Sequence, residues 1–243
     1  MKTSGKLAAI LITGAFSTTS FAQSDFEGFF AELATGYEKN TIRKINPSWH
    51  NESIDFRGAG TAQSHETEGA PLDIRLGYTL SISDKYTFGF GIEYSPLSQH
   101  TSKFPQISTN EANQTFPIQN TSYKISERIS AYVMPGFSIA KDKLIYAKIG
   151  YSNQQVAYRQ GTDTLTNLVS GFSATKNLNG YVVGLGYKQT ISKGFYGFAE
   201  ANYMSFDKSS ISGIAMAITD RIRFTTNPEF SGYNALIGIG YKF

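Results

Sequence analysis

The chain contains no cysteine. A disulfide framework and a lipid-modified cysteine anchor are both excluded, so stability must come from the backbone ladder and from packing. Charge is sparse as well: Asp, Glu, Lys and Arg make up 17% of the residues, and the formal net charge is +3. Lys2 and Lys6 supply part of that excess, and nothing in the balance argues for a nucleic-acid partner. Histidine is limited to His50, His65 and His100, and tryptophan to Trp49. No stretch after the first two dozen residues is apolar enough for a membrane helix, which needs about 20 apolar residues.

The amino terminus is a processing signal. Lys2 and Lys6 precede an apolar run, Leu7 to Phe16, and Ser20 and Ala22 are the small residues of a cleavage site before Gln23. The run is too short to cross a bilayer. Residues 1–22 are therefore expected to be a secretory signal peptide, and 23–243 one exported domain.

That domain is dominated by a period of two. Ala235, Ile237, Ile239, Tyr241 and Phe243 point one way, while Leu236, Gly238, Gly240 and Lys242 point the other. Leu72, Ile74, Leu76, Tyr78, Leu80 and Ile82 alternate in the same manner with Asp73, Arg75, Gly77, Thr79 and Ser81. One row is apolar and closes on aromatics, and the other is small or polar. A strand with lipid outside, a filled interior inside and an aromatic girdle at its end has this pattern.

Eight such strands are expected, at about 26–37, 71–82, 86–95, 123–139, 145–152, 180–187, 195–206 and 235–243. Glu200 is placed inward on the seventh. On the fourth, Ile125 and Ile129 are placed toward lipid, with Glu127 on the same row near the outer interface. The connections alternate between long polar stretches (38–70, 96–122, 154–179, 207–231) and the tight turns Ser83–Lys85, Ala140–Asp142 and Ser192–Gly194. Six of the seven prolines fall in the long stretches or at strand starts, as a ladder that needs every N–H requires. Pro135 is the exception and predicts a bulge or a strand end. The fold expected is all-β: an eight-stranded antiparallel up-and-down transmembrane β-barrel, with short turns in the periplasm and four long loops outside.

The Gly-Tyr pairs at 36–37, 77–78, 150–151, 180–181, 186–187, 232–233 and 240–241 place glycine inside and tyrosine outside. With the leader, the strand count and the terminal Gly238, Tyr241 and Phe243, the chain resembles the small outer-membrane β-barrel family. That family includes OmpX, the N-terminal domain of OmpA, the opacity proteins and many "porin family" proteins. The resemblance implies location in the outer membrane among lipid and lipopolysaccharide. It also implies that Gly238, Tyr241 and Phe243 are the signal read by the barrel-assembly machinery, and that the protein is monomeric.

Three constellations bear on function. The first is interior charge: Glu32, Asp73, Arg75, Glu93, Arg128, Lys148 and Glu200. A three-residue turn at Ser83–Lys85 sets Ile82 opposite Tyr86 and Arg75 opposite Glu93, a cross-strand ion pair. Eight strands leave an interior that side chains fill, so these charges are expected to form a plug. A narrow channel for ions or small solutes is the alternative.

The second is the histidines, which all fall in expected loops beside Ser53, Asp55 and Ser102. No strand fixes a nucleophile–base pair, and a lipid A-modifying enzyme is the remote alternative to a non-enzyme. His65-Glu-Thr-Glu68 matches no strong metal signature, so neither metal nor cofactor is expected. The third is the loop surface, rich in Ser, Thr, Asn and Gln, with Trp49 as the binding candidate for a host or surface ligand.

Overall fold

The computed structural model describes residues 25–163, 173–217 and 220–243. The expected signal peptide lies outside the described residues. In chain order the strands are β1 (Gly28–Arg43), β2 (Ser48–Asn51), β3 (Phe56–Thr61), β4 (His65–Gly69), β5 (Leu72–Ser81) and β6 (Tyr86–Ser95). They continue with β7 (Gln99–His100), β8 (Phe104–Asn110), β9 (Thr115–Ala140), β10 (Lys143–Arg159) and β11 (Thr162–Asp163). The last are β12 (Ser173–Ser192), β13 (Phe195–Phe206), β14 (Ile211–Ala217), β15 (Asp220–Thr226) and β16 (Glu229–Lys242).

Eight of these close a ring in the order β1-β5-β6-β9-β10-β12-β13-β16, and β16 returns to β1 with Leu33 opposite Ile239. All pairs are antiparallel, and the tight turns join β5 to β6, β9 to β10 and β12 to β13. In the last of these Gly194 has φ 77°, the left-handed region where a side chain would be strained. Closure leaves no ladder edge facing lipid, the condition for a sheet in a bilayer.

The lipid side is the apolar row. Leu185 is 71% and Ile237 66% exposed, values a water-facing sheet would not sustain across eight strands. Two aromatic belts bound it. Tyr37 meets Tyr233, and Tyr181 meets Tyr203, near the long-loop end. Tyr86 with Phe137, and Phe195 with Tyr241 and Phe243, form the belt at the short-turn end. Rings with an apolar body and a polar tip favour this interface.

The glycines of the inner row make room for rings. A Cβ on Gly186 would overlap the Tyr146 ring, and one on Gly77 the Phe30 ring. Each aromatic lies flat across a neighbouring strand because the residue opposite has no side chain.

Apart from β5 and β6, of 10 residues each, the ring strands outrun the membrane. About 9–11 residues cross a bilayer, whereas β9 has 26 residues, β12 has 20, β10 has 17 and β1 has 16. Above the upper tyrosines β9 carries a second sheet, β9-β8-β3-β2-β15-β14. The stretches expected as loops at 38–70, 96–122 and 207–231 thus hold strands. Their exposed side chains are mixed, among them Ser48, Arg57, Thr61, Glu66, Glu68, Pro105 and Ile107, so no continuous apolar row marks them, and the stretches read as irregular. Of the expected third loop, 164–172 lies outside the described residues.

Two further expectations are corrected. Glu127 has φ 51° and forms a β-bulge, seen as a register shift against β10 between Asn153 and Gln155. A one-residue slip reverses facing, so Ile125 is buried inside and Lys124 faces out. Pro135 neither ends β9 nor bulges. It pairs with Phe88 on β6, and register against β10 is the same at Tyr146–Gly136 and Ile149–Val133. Only the rungs Ala147–Pro135 and Lys148–Met134 are missing, because proline has no N–H to donate. Among the prolines expected in loops, Pro105 and Pro117 lie on β8 and β9, and Pro105 sits at a register shift.

Candidate functional site

The barrel interior is stratified. At the short-turn end Phe26, Phe30, Met134, Leu144, Tyr146, Tyr196 and Phe198 form an apolar floor. Charges stand above it. Arg75 on β5 is 1% exposed and reaches across to Glu200 on β13, donating from Nη1 to Oε2 at 3.1 Å and from Nη2 to Oε1 at 2.8 Å. Its Nε lies 2.7 Å from Glu93, its partner on the adjacent rung of β6. Lys148 on β10 donates to Glu93 at 2.6 Å and to Glu200 at 3.2 Å. Tyr146 and Asn202 also donate to Glu200.

Arg128 on β9 lies 2.8 Å from Glu38 and 3.6 Å from Asp73, and Ser95 donates to Asp73. Glu32 accepts from Lys188 and Tyr196. Glu32, Asp73, Arg75, Glu93, Arg128, Lys148 and Glu200 therefore share one connected layer. A carboxylate with bidentate and lysine partners satisfies most of its acceptor sites, the condition under which a buried charge persists.

Two members were not legible. Glu38 lies one residue past the expected end of the first strand, and Lys188 one residue past that of the sixth. Both continue the inward parity of their strands, so extending the alternation past the last aromatic would have found them. Lys188 also stands 4.6 Å from the Phe30 ring centroid and 5.2 Å from that of Tyr196, joining charge layer to floor. Among the described interior residues, five carboxylates face four cations.

At the loop end the interior turns apolar again. Ile42, Ile45, Phe104, Tyr123, Ile125, Val156, Tyr158, Leu178 and Phe230 are buried together with Ile211 and Phe224 of the outer sheet. The outer sheet thus folds over the barrel mouth as a lid. Trp49 lies on β2 rather than in a loop. It is half-buried, its ring crosses Gly58, and Nε1 donates to Ser108 Oγ at 2.7 Å. It anchors the lid, and it also borders a surface concavity of about 780 Å³ that His50, Arg57, Glu111 and Arg223 help to line.

The histidines lie on β2, β4 and β7, contrary to their expected loop positions. His50 Nε2 is 2.8 Å from Asp55, which Arg57 also engages, and both contacts hold the Asp55 carboxyl below its usual range. The Ser53 hydroxyl accepts from the Arg221 backbone N–H. His65 stacks on Phe104 at 3.7 Å, and burial lowers its pKa. Among the described residues no group of three or more His, Cys, Asp or Glu is placed to hold a metal ion.

At the closing strand, the Phe198 ring crosses Gly238, and Tyr241 packs between Phe195 and Phe243. Residues 8–243 match the family described as "Outer membrane protein beta-barrel domain". The chain belongs to that family. It is an outer-membrane protein that crosses the bilayer with strands.

Among solved structures it is similar to the outer membrane protease OmpT of Escherichia coli, at 12% identity and a TM-score of 0.51, covering 93% of this chain and 99% of that one. It is similar also to Neisserial surface protein A, at 15% identity and 0.45, covering 89% and 98%. The attachment invasion locus protein Ail of Yersinia pestis is a third, at 10% and 0.38, covering 86% and 99%. Comparison with curated proteins gives no match. At these identities the likeness is one of fold.

Proposed function

We propose that this β-barrel protein is a surface-interaction scaffold: a plugged barrel that raises a folded sheet above the outer membrane to meet a host or surface ligand. The observation that carries this reading is the lid. Strands of 26 and 17 residues lift β2, β3, β8 and β15 clear of the upper tyrosine belt. A buried apolar cluster then fixes that sheet rigidly. Binding residues held on strands are positioned more precisely than those on free loops.

The protein is read as non-catalytic: the His50 imidazole is engaged by Asp55 and the His65 ring is stacked on Phe104. It is read as a monomer among outer-membrane lipid and lipopolysaccharide. Gly238, Tyr241 and Phe243 are proposed to present the closing strand to the assembly machinery, after removal of residues 1–22.

The test replaces residues 48–61 with a short Gly-Ser turn and measures attachment of cells displaying the protein to host cells and matrix. Heat-modifiable gel migration checks that the barrel still folds. Attachment lost with the barrel intact supports the reading. Attachment unchanged, or absent in the unaltered protein, removes it.

A further inference from the structure

The wall of the barrel changes character at one place. The β5–β6 ladder runs to Ile74 opposite Tyr94, and in that register the rungs beyond Asp73 and Ser95 would set Leu72 against Pro96 and Pro71 against Leu97. Each proline withholds an N–H, so the ladder cannot continue. Beyond them β4 continues along β1, and β7 continues along β9, each with its own partner. Neither pairs with the other.

The bulge at Glu127, with φ 51°, bends β9 at the same level, between Arg128 opposite Ser95 and Ile125 opposite Gln99. Three breaks therefore coincide: Pro71, Pro96 and a left-handed glutamate.

Side chains close the gap. Thr67 of β4 donates to Gln99 Oε1 of β7 at 2.8 Å, Asn40 Nδ2 donates to the same oxygen at 3.1 Å, and Gln99 Nε2 donates to Glu38 at 3.2 Å. The aliphatic part of Gln99 lies against Gly69. Behind this latch is a cavity of about 10 Å³ bordered by Glu38, Ser95, Gln99, Ser126 and Arg128, room for about one water. Glu38 and Arg128 are 2.8 Å apart there and lead through Asp73 to the rest of the ionic layer.

We propose that the wall between β4 and β7 is a side portal, latched by Gln99, through which water enters the Glu38–Arg128 end of the ionic layer from the outer surface. Pro71, Leu72, Leu97 and Ile125 complete the lining, but the space holds about one water and faces the Glu38–Arg128 pair, so the entrant is water rather than hydrocarbon. The route ends on the aromatic floor at Phe30, Tyr196 and Phe198, so it is a vestibule and not a through-channel. The portal does not depend on the ligand-binding reading of the lid.

The cysteine-free chain makes the test clean. Single variants Ser126→Cys, at the cavity, and Ser152→Cys, buried on β10, are folded into vesicles and treated with a positively charged, water-soluble methanethiosulfonate. Each is paired with Gln99→Ala. The latch contributes three hydrogen bonds, so its loss should speed Ser126→Cys labelling by about tenfold or more, while Ser152→Cys remains unlabelled. Gln99→Glu, which sets a carboxylate against Glu38, gives the same acceleration and replaces Gln99→Ala if that variant does not fold. Equal Ser126→Cys rates with and without the latch overturn the portal. So does a parallel rise at Ser152→Cys, which would mean that the whole wall has loosened.

Discussion

Arg75 and Glu200 sit on strands that are not neighbours, β5 and β13, yet they form a two-point ion pair across the barrel at 3.1 and 2.8 Å. A cross-brace of this kind ties opposite walls together where ladder bonds connect only adjacent ones. Removing Arg75 leaves the buried carboxylates of Glu93 and Glu200 sharing Lys148, an undercompensated charge that costs up to about 3–5 kcal/mol. Arg75→Met is expected to lose that much in urea-dependent refolding into lipid, and Arg75→Met with Glu200→Gln to recover part of it. Full additivity of the two single losses would contradict the brace.

Ring-over-glycine packing makes a second prediction. Gly186→Ala places a methyl group into the Tyr146 ring, and such overpacking costs about 1–3 kcal/mol. Gly197 is the control: a Cβ there meets nothing closer than Ile191 Cδ1 at 3.5 Å. Gly197→Ala should therefore leave the urea midpoint unchanged while Gly186→Ala lowers it. Equal midpoints would mean that the glycines are not there for the rings.

How much of this was legible follows from where water ends and lipid begins. Within the bilayer the outer row must be apolar, so Leu72 to Ile82 and Ala235 to Phe243 declared their strands, and the three-residue turn fixed Arg75 opposite Glu93 by counting. Above the bilayer both faces tolerate Ser, Thr and Asn, and β2, β3, β8, β14 and β15 left no periodic trace. The inward facing of Ile125 is not legible because nothing in Ser126-Glu127-Arg128 announces a bulge. Lys188 and Glu38 lie one residue beyond the last outward tyrosine of their strands, where the apolar row that marks the alternation ends. The lid's cluster depends on Phe104, Tyr123 and Phe224 meeting from distant segments, which no local pattern encodes.

The lid has its own reporter, Trp49, the single tryptophan of the chain. Trp49→Phe keeps the ring over Gly58 but loses the bond to Ser108, and Trp49→Ala loses both. Limited proteolysis of intact cells should cleave Trp49→Ala within residues 48–61 much faster than Trp49→Phe, with the barrel fragment surviving. Identical cleavage of both would show that the ring does not hold the sheet.

His65 makes the lid acid-sensitive. Its folded pKa is lowered by burial against Phe104, so the unfolded lid binds the proton more readily. The stability that neutral His65 contributes is present above its unfolded pKa of about 6.5 and declines as pH falls below it. Trp49 emission should shift to the red between pH 7 and 5, and His65→Phe should reduce the shift. An unchanged shift in that variant would assign it to another group.

The interior is closed by an aromatic floor below, an ionic layer across the middle and a folded lid above. Planar-bilayer recording of the folded protein tests this directly. The unaltered protein is expected to show no steady conductance. A large, steady, ohmic conductance from the unaltered protein would contradict it.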